Sequence, residues 1–206
     1  MCKELVFSNT THTNSSKAPS AHRYNFPGSF AKPILSPEHL PDTTSDQFAK
    51  FDSDAIEGQI IVVGFICNHC PYVIRFAERL AMDLNALQAQ GVGVAAIMSN
   101  DYDTYPADAP DKMATFAQRH GFDFPYLVDT DQSVPRAFGA VCTPDFFGLN
   151  AELRLQYRGR LDDLKMGASG ERNAELLEAM RQIAQTGAGP AEQTPSIGCS
   201  IKWRAQ

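Results

Sequence analysis

Two cysteines separated by two residues, Cys67 and Cys70, are the side chains of this 206-residue chain best suited to chemistry. A cysteine thiolate is a strong nucleophile, and the C-x-x-C spacing lets the second sulfur reach back to the first. Cys67 is expected to attack a disulfide, and Cys70 is expected to resolve the mixed disulfide that forms. The motif therefore predicts a redox-active dithiol that acts in thiol–disulfide exchange.

His69 stands directly before the second cysteine of the motif. An imidazole beside a thiol can donate a hydrogen bond to the thiolate or, when protonated, stabilise its charge. The unpaired N–H groups at a helix N-terminus favour the same anion. Together these influences predict that the pKa of Cys67 lies below that of a free thiol and that the pair is not strongly reducing.

Two other chemistries fit the same residues. In a peroxidase, Cys67 would be oxidised to a sulfenic acid, on which Cys70 would condense. In a metal-binding module, Cys67 and Cys70 with His69 or Cys199 would hold soft copper or zinc. The sequence has no second C-x-x-C pair to complete a typical zinc site, so we expect neither a metal nor another cofactor.

The motif lies where an apolar strand is followed by an amphipathic helix. Residues 59–66 are apolar and rich in β-branched side chains without alternation, which is typical of a strand covered on both faces. After Pro71, apolar residues recur at helical spacing as far as Leu87, and Gly91 favours the end of a helix. Residues 92–98 resemble a second buried strand, so the pattern predicts a parallel βαβ unit.

The rest of the chain predicts further alternation of helices and strands around one sheet. The expected elements are a helix over 111–120, a strand over 124–128, an antiparallel hairpin of 146–149 with 153–157, and a helix that ends at Gly187. The fold class is therefore α/β, with a central mixed sheet flanked by helices. We expect an irregular N-terminal extension, a redox domain and an extended C-terminal tail, at residues 1–57, 58–187 and 188–206.

The segment around the motif, residues 64–73, resembles a peroxiredoxin-like branch of the thioredoxin superfamily, the alkyl hydroperoxide reductase and thiol-specific antioxidant (AhpC/TSA) group. Further blocks similar to this family follow in family order: residues 99–101 (SND), 105–108 (YPAD), 124–129 (FPYLVD), 142–147 (CTPDFF), 157–160 (YRGR) and 195–203 (PSIGCSIKW). The resemblance spans residues 58–203 and implies a thioredoxin-like fold. It also implies that the Thr143–Pro144 bond is cis and faces the motif, with the Thr143 backbone available to a bound substrate.

The sequence departs from two patterns of related families. Thioredoxins hold a buried acid six residues before the first motif cysteine, where this chain has Ile61. The P-x-x-x-T-x-x-C pattern of true peroxiredoxins is absent, since Val63 and Gly64 stand near the motif. We therefore expect proton transfer to Cys70 through water or another group, and we do not expect efficient peroxide reduction.

Charge and cysteine count bear on the compartment and the partners. The net charge of −6, the pI near 5.3 and the lack of a basic run argue against nucleic acid and anionic membranes. With no long apolar span and no signal-like N-terminus, the cytoplasm is the expected location. The expected partners are protein or small-molecule disulfide or peroxide substrates and a thiol reductant. Five cysteines fit a disulfide framework poorly, so Cys142 and Cys199 are candidate auxiliary thiols.

Overall fold

A computed structural model of the protein describes residues 59–166 and 168–205. The expected N-terminal extension, residues 1–57, lies outside the described residues. Within them, strands and helices alternate along the chain, as the sequence pattern predicts for an α/β fold. The division into an extension, a redox domain and a tail stays a prediction.

A five-stranded mixed sheet forms the centre of the described structure. Its strands are β1 (Ile61–Phe65), β2 (Gly93–Met98), β3 (Tyr126–Val128), β5 (Asp145–Leu149) and β6 (Leu155–Gly159), in the spatial order β3-β2-β1-β5-β6. β1, β2 and β3 are parallel, whereas β5 is antiparallel to both β1 and β6. The predicted βαβ unit and hairpin are both present, and together they give the expected thioredoxin-like sheet.

Four α-helices flank the sheet: α1 (Pro71–Ala89), α2 (Pro110–His120), α3 (Ser133–Phe138) and α4 (Glu175–Thr186). Apolar side chains of α1, α2 and α4 pack in one core cluster on one face of the sheet. Side chains of α3 pack in a second cluster on the other face, which includes Phe65 of the central strand. Because both faces are covered, every residue of β1 is buried, as its unbroken apolar sequence predicts.

A second, two-stranded sheet ties the C-terminal tail to the domain. β4 (Cys142–Thr143) lies just before the central hairpin and pairs antiparallel with β7 (Cys199–Ser200). A Cβ atom at Gly198 would collide with the carbonyl oxygen of Thr143, so a side chain there would block this close pairing. The tail therefore returns to the sheet instead of running free along the surface.

Candidate active site

The motif cysteines lie in the turn between β1 and α1. β1 ends at Phe65 and α1 begins at Pro71, whose missing N–H is not needed in the first helical turn. Cys70 is the N-cap residue of α1, and Cys67 lies three residues before it. Both thiols are free, and neither residue has solvent-exposed surface. The strand and the helix thus hold the two sulfurs at a buried junction.

Thr143 contacts both sulfurs. Its Oγ1 lies 3.3 Å from Cys67 Sγ, and its carbonyl oxygen accepts a hydrogen bond from Cys70 Sγ at 3.1 Å. The peptide bond between Thr143 and Pro144 is cis. Thr143 also pairs with Cys199 in the β4–β7 ladder, so part of the backbone offered to a substrate has partners within the chain. Substrate binding by Thr143 and Pro144 stays a prediction.

Asp108 is a buried carboxylate that contacts the two residues between the motif cysteines, Asn68 and His69. It closes a short 3-10 turn, Pro106–Asp108, and its side chain is completely buried. Its oxygens accept hydrogen bonds from the Asn68 backbone N–H at 2.8 Å and from Asn100 Nδ2 at 2.8 Å. The Oδ2 atom of Asp108 also lies 2.7 Å from His69 Nδ1. The motif turn is therefore anchored to a loop about forty residues away.

Sequence reasoning did not assign a role to Asp108. The residue falls within one of the blocks that resemble the AhpC/TSA family, residues 105–108, which was the only signal available. Nothing in the local pattern distinguishes it from an ordinary surface aspartate in a loop rich in aspartate. Its burial and its three hydrogen-bonding neighbours appear only in the folded chain.

Further contacts restrain the two residues between the cysteines. The Asn68 amide accepts a hydrogen bond from the Tyr126 hydroxyl at 3.0 Å and donates one to the Ala107 carbonyl at 3.0 Å. The His69 ring stacks on Tyr105, with the ring centroids 5.6 Å apart and the planes 9° apart. Asn68 and His69 therefore help to fix the conformation of the turn and are more than a spacer between the cysteines.

The pKa values of Cys67 and Cys70 shift in opposite directions. The N-cap position belongs to Cys70, so the helix dipole acts mainly on that thiol and less on Cys67. A hydrogen bond with Cys67 lowers the pKa of Cys70 to about 5. The same hydrogen bond, burial and the nearby charge of Asp108 raise the pKa of Cys67. The direction of this shift is opposite to the prediction that the pKa of Cys67 lies below that of a free thiol.

The sequence matches the family model of the AhpC/TSA family over residues 37–160, which is more than half of the chain. The chain belongs to the AhpC/TSA family. This confirms the resemblance indicated by the motif blocks. No curated protein matches the chain significantly.

Two solved structures are similar to this AhpC/TSA protein over most of both chains. A hypothetical protein from Sinorhizobium meliloti 1021 is 37% identical, with 81% of this chain and 91% of that chain covered and a TM-score of 0.73. An uncharacterized conserved protein from Geobacillus kaustophilus is 35% identical, with 82% and 89% covered and a TM-score of 0.74.

A more distant solved structure shares the fold of this AhpC/TSA protein. It is a secreted disulfide oxidoreductase from Mycobacterium tuberculosis, 18% identical, with 71% of this chain and 93% of that chain covered and a TM-score of 0.51. Similarity at this level shows the thioredoxin-like fold alone.

The two candidate auxiliary thiols of this AhpC/TSA protein lie on the small sheet. Cys199 faces Thr143 across the ladder and packs against the core cluster that contains Cys67 and Cys70. The buried Cys142 thiol is directed at the Pro144 carbonyl, 3.6 Å away. The structure therefore brings Cys199 into the thiol site.

Cys67, His69 and Asp108 are the one group among the described residues with enough close donor atoms for a metal ion. Their potential ligand atoms lie within 4.8 Å of one another. The Asp108 oxygens, however, already have three hydrogen-bonding neighbours, and Cys67 Sγ lies beside the Thr143 hydroxyl. We therefore assign no metal to this group.

No helix within residues 59–166 and 168–205 is both long and apolar enough to cross a membrane.

Proposed function

We propose that this AhpC/TSA protein is a thiol–disulfide oxidoreductase. The observation that carries the proposal is the contact of two free thiols, Cys67 and Cys70, with each other and with Thr143. A single thiol forms only a mixed disulfide with its substrate. A pair in contact can close an internal disulfide and release the product.

The shared proton of the pair decides which sulfur attacks. The hydrogen bond between the two thiols lowers the pKa of Cys70 and raises that of Cys67, so the pair shares a single proton once it carries one negative charge. Transfer of that proton to Cys70 makes Cys67 the thiolate, which the Thr143 hydroxyl then stabilises across 3.3 Å. The Cys70 thiol in turn donates to the Thr143 carbonyl across 3.1 Å. Thr143 thus favours the form in which Cys67 attacks.

The exchange proceeds in two balanced steps. The Cys67 thiolate attacks one sulfur of a substrate disulfide, and the other substrate sulfur leaves as a thiolate and takes up a proton. Cys70 then gives up its proton and attacks Cys67 Sγ, which releases the second substrate thiol and leaves a Cys67–Cys70 disulfide. The substrate gains two electrons and two protons, and a thiol reductant restores the pair. We place this cycle in the cytoplasm, where such reductants are abundant.

Asp108 and His69 act on this cycle by positioning the turn and by setting its charge. The Asp108 carboxylate fixes the Asn68 backbone and the His69 ring, so Cys67 Sγ is held beside Thr143. Its negative charge also disfavours a second negative charge on Cys67. Both are positioning residues in this account.

Reduction of insulin disulfides with dithiothreitol as electron donor tests the proposal. Cys67→Ser and Cys70→Ser should each reduce turnover to the rate of dithiothreitol alone, because each variant lacks one of the two exchange steps. Cys142→Ser is the matched control with another buried thiol removed, and it should retain turnover. Full turnover by the Cys67→Ser protein would contradict the proposal.

Thiol peroxidase activity is a second candidate, favoured by the Thr143 hydroxyl 3.3 Å from Cys67 Sγ. A hydroxyl in that place can hold a peroxide oxygen beside the attacking sulfur. Against this candidate, the P-x-x-x-T-x-x-C pattern of true peroxiredoxins is absent, since Val63 and Gly64 stand near the motif. Stopped-flow mixing of reduced Cys70→Ser protein with peroxide separates the two. A rate far above that of an ordinary thiol would make peroxide the primary substrate.

A further inference from the structure

Cys199 brings a third sulfur to the thiol pair from the C-terminal strand. The pairing of β7 with β4 places Cys199 opposite Thr143, whose hydroxyl contacts Cys67 and whose carbonyl contacts Cys70. The Cys199 side chain also packs against the core cluster that contains both motif cysteines. Three thiols therefore surround one threonine.

The three cysteine residues differ in their exposure to solvent. Cys67 and Cys70 are completely buried, with 0% of their surface exposed. Cys199 is half-buried, and Lys202 on the same strand extension is also partly exposed. An external thiol that must restore the pair therefore reaches Cys199 more easily than either motif cysteine.

We infer that Cys199 is a second resolving thiol, which carries the disulfide from the buried pair to the surface of the protein. The inference rests on the proposed function of the pair, because it begins from the Cys67–Cys70 disulfide. It adds a catalytic residue to that cycle and names the place where a thiol reductant enters.

The transfer is an internal exchange that needs no other reactant. The Cys199 thiol loses its proton and attacks Cys70 Sγ, which forms a Cys70–Cys199 bond and breaks the Cys67–Cys70 bond. Cys67 leaves as a thiolate and takes up the proton, so the number of electrons and protons in the protein is unchanged. An external thiolate then attacks Cys199 Sγ and expels Cys70, and a second external thiol completes the reduction.

The acid–base properties of Cys199 and Cys70 suit the attack of Cys199 and the later attack of the external thiol. In the reduced site, burial, the hydrogen bond with Cys70 and the charge of Cys70 raise the pKa of Cys199 to about 11. The last two influences disappear when Cys70 enters a disulfide, so Cys199 becomes more acidic once the pair is oxidised. Cys70 has the lower pKa and is therefore the better leaving group when the external thiol attacks.

Disulfide mapping by mass spectrometry tests the transfer directly. The protein carries Cys2→Ser throughout, and the Cys67→Ser variant is oxidised with oxidised glutathione. We expect a Cys70–Cys199 disulfide as the main product, in equal yield when Cys142→Ser is added as a control. Glutathione retained on Cys70 or Cys199 without the internal disulfide would overturn the inference. The Cys199→Ser protein tests the proposed function separately, since it should still form the Cys67–Cys70 disulfide.

The rate of re-reduction gives a second readout that does not depend on Cys67→Ser folding. Oxidised wild-type and Cys199→Ser proteins are mixed with reduced glutathione, and free thiols are counted over time. Without the Cys199 thiol, re-reduction of the Cys199→Ser protein should be slower at least about tenfold. The Cys142→Ser protein should be re-reduced at the wild-type rate. Equal rates for wild type and Cys199→Ser would overturn the inference.

Discussion

His69 Nδ1 lies 2.7 Å from Oδ2 of Asp108, a carboxylate whose side chain has no exposed surface. The pair places a buried acid beside the first half of the dithiol motif. At the strand position where thioredoxins hold a buried acid, this chain has the apolar Ile61. A carboxylate beside the motif is thus supplied by a different element, the 3-10 turn that ends at Asp108.

Replacement of Asp108 by asparagine should make Cys67 more acidic. The charge of Asp108 is one cause of the raised pKa of Cys67, so its removal should lower that pKa. The measurement is the pH dependence of alkylation at Cys67, followed by peptide mass spectrometry. Asp111→Asn removes an exposed carboxylate nearby and should leave the profile unchanged. An unaltered profile in Asp108→Asn would contradict the role given to this charge.

Asp129 should make the protein less stable as the pH rises towards neutrality. Burial and contact with Asp131 raise the pKa of Asp129 to about 7, and its buried Oδ1 has no hydrogen-bond partner among the described residues. The folded state therefore holds a proton that the unfolded state releases near pH 4, so stability falls between about pH 4 and pH 7.

Asp129→Asn should remove this pH dependence. The free energy of unfolding of the wild type should fall by roughly 2 to 4 kcal/mol between pH 5 and pH 8, and that of the variant should stay more nearly constant. Urea unfolding at both pH values is the measurement. Glu171→Gln removes an exposed carboxyl and serves as the control. A wild type whose stability rises over this range would contradict the prediction.

The elements around the motif could be predicted from the sequence because each depends on neighbouring residues. The apolar run of β1 and the helical spacing of α1 are local patterns, so the C-x-x-C at their junction followed directly. The hairpin of β5 and β6 was also predictable, since its strands are close in sequence.

The rest of the site depends on contacts between distant segments. Asp108 and Cys199 reach the motif through a loop and a C-terminal strand, and no local pattern indicates where those segments pack. The pKa of Cys67 departs from the predicted direction because the hydrogen bond with Cys70, burial and the charge of Asp108 raise it, and no local pattern shows the contact with Asp108. The N-cap is Cys70, and the imidazole of His69 is directed at Asp108.

The ion pair of Asp83 with Arg172 should contribute strongly to stability. Two hydrogen bonds of 2.9 and 2.6 Å join the buried Asp83 of α1 to Arg172, which lies just before α4. Asp83→Ala leaves a largely buried guanidinium whose remaining ion-pair partner among the described residues is Asp162, at 3.3 Å. We expect a loss of about 3 kcal/mol in the free energy of unfolding, measured by urea denaturation.

The exposed pair of Asp111 with Lys112 gives the matched control for this prediction. Both side chains are more than half exposed at a separation of 3.0 Å, so Asp111→Ala should change stability by less than about 1 kcal/mol. Equal losses for Asp83→Ala and Asp111→Ala would show that burial does not set the strength of the Asp83 pair.

Trapping of the exchange intermediate is the most direct test of the proposed activity. Reduced Cys70→Ser protein, with Cys199→Ser added to remove the third thiol, is mixed with a peptide disulfide and analysed by mass spectrometry under non-reducing conditions. The account predicts a stable mixed disulfide on Cys67, because the two thiols proposed to act as resolving thiols, Cys70 and Cys199, have been removed. The same protein with Cys67→Ser should form none. A peptide bound at another cysteine, or no adduct at Cys67, would contradict the account.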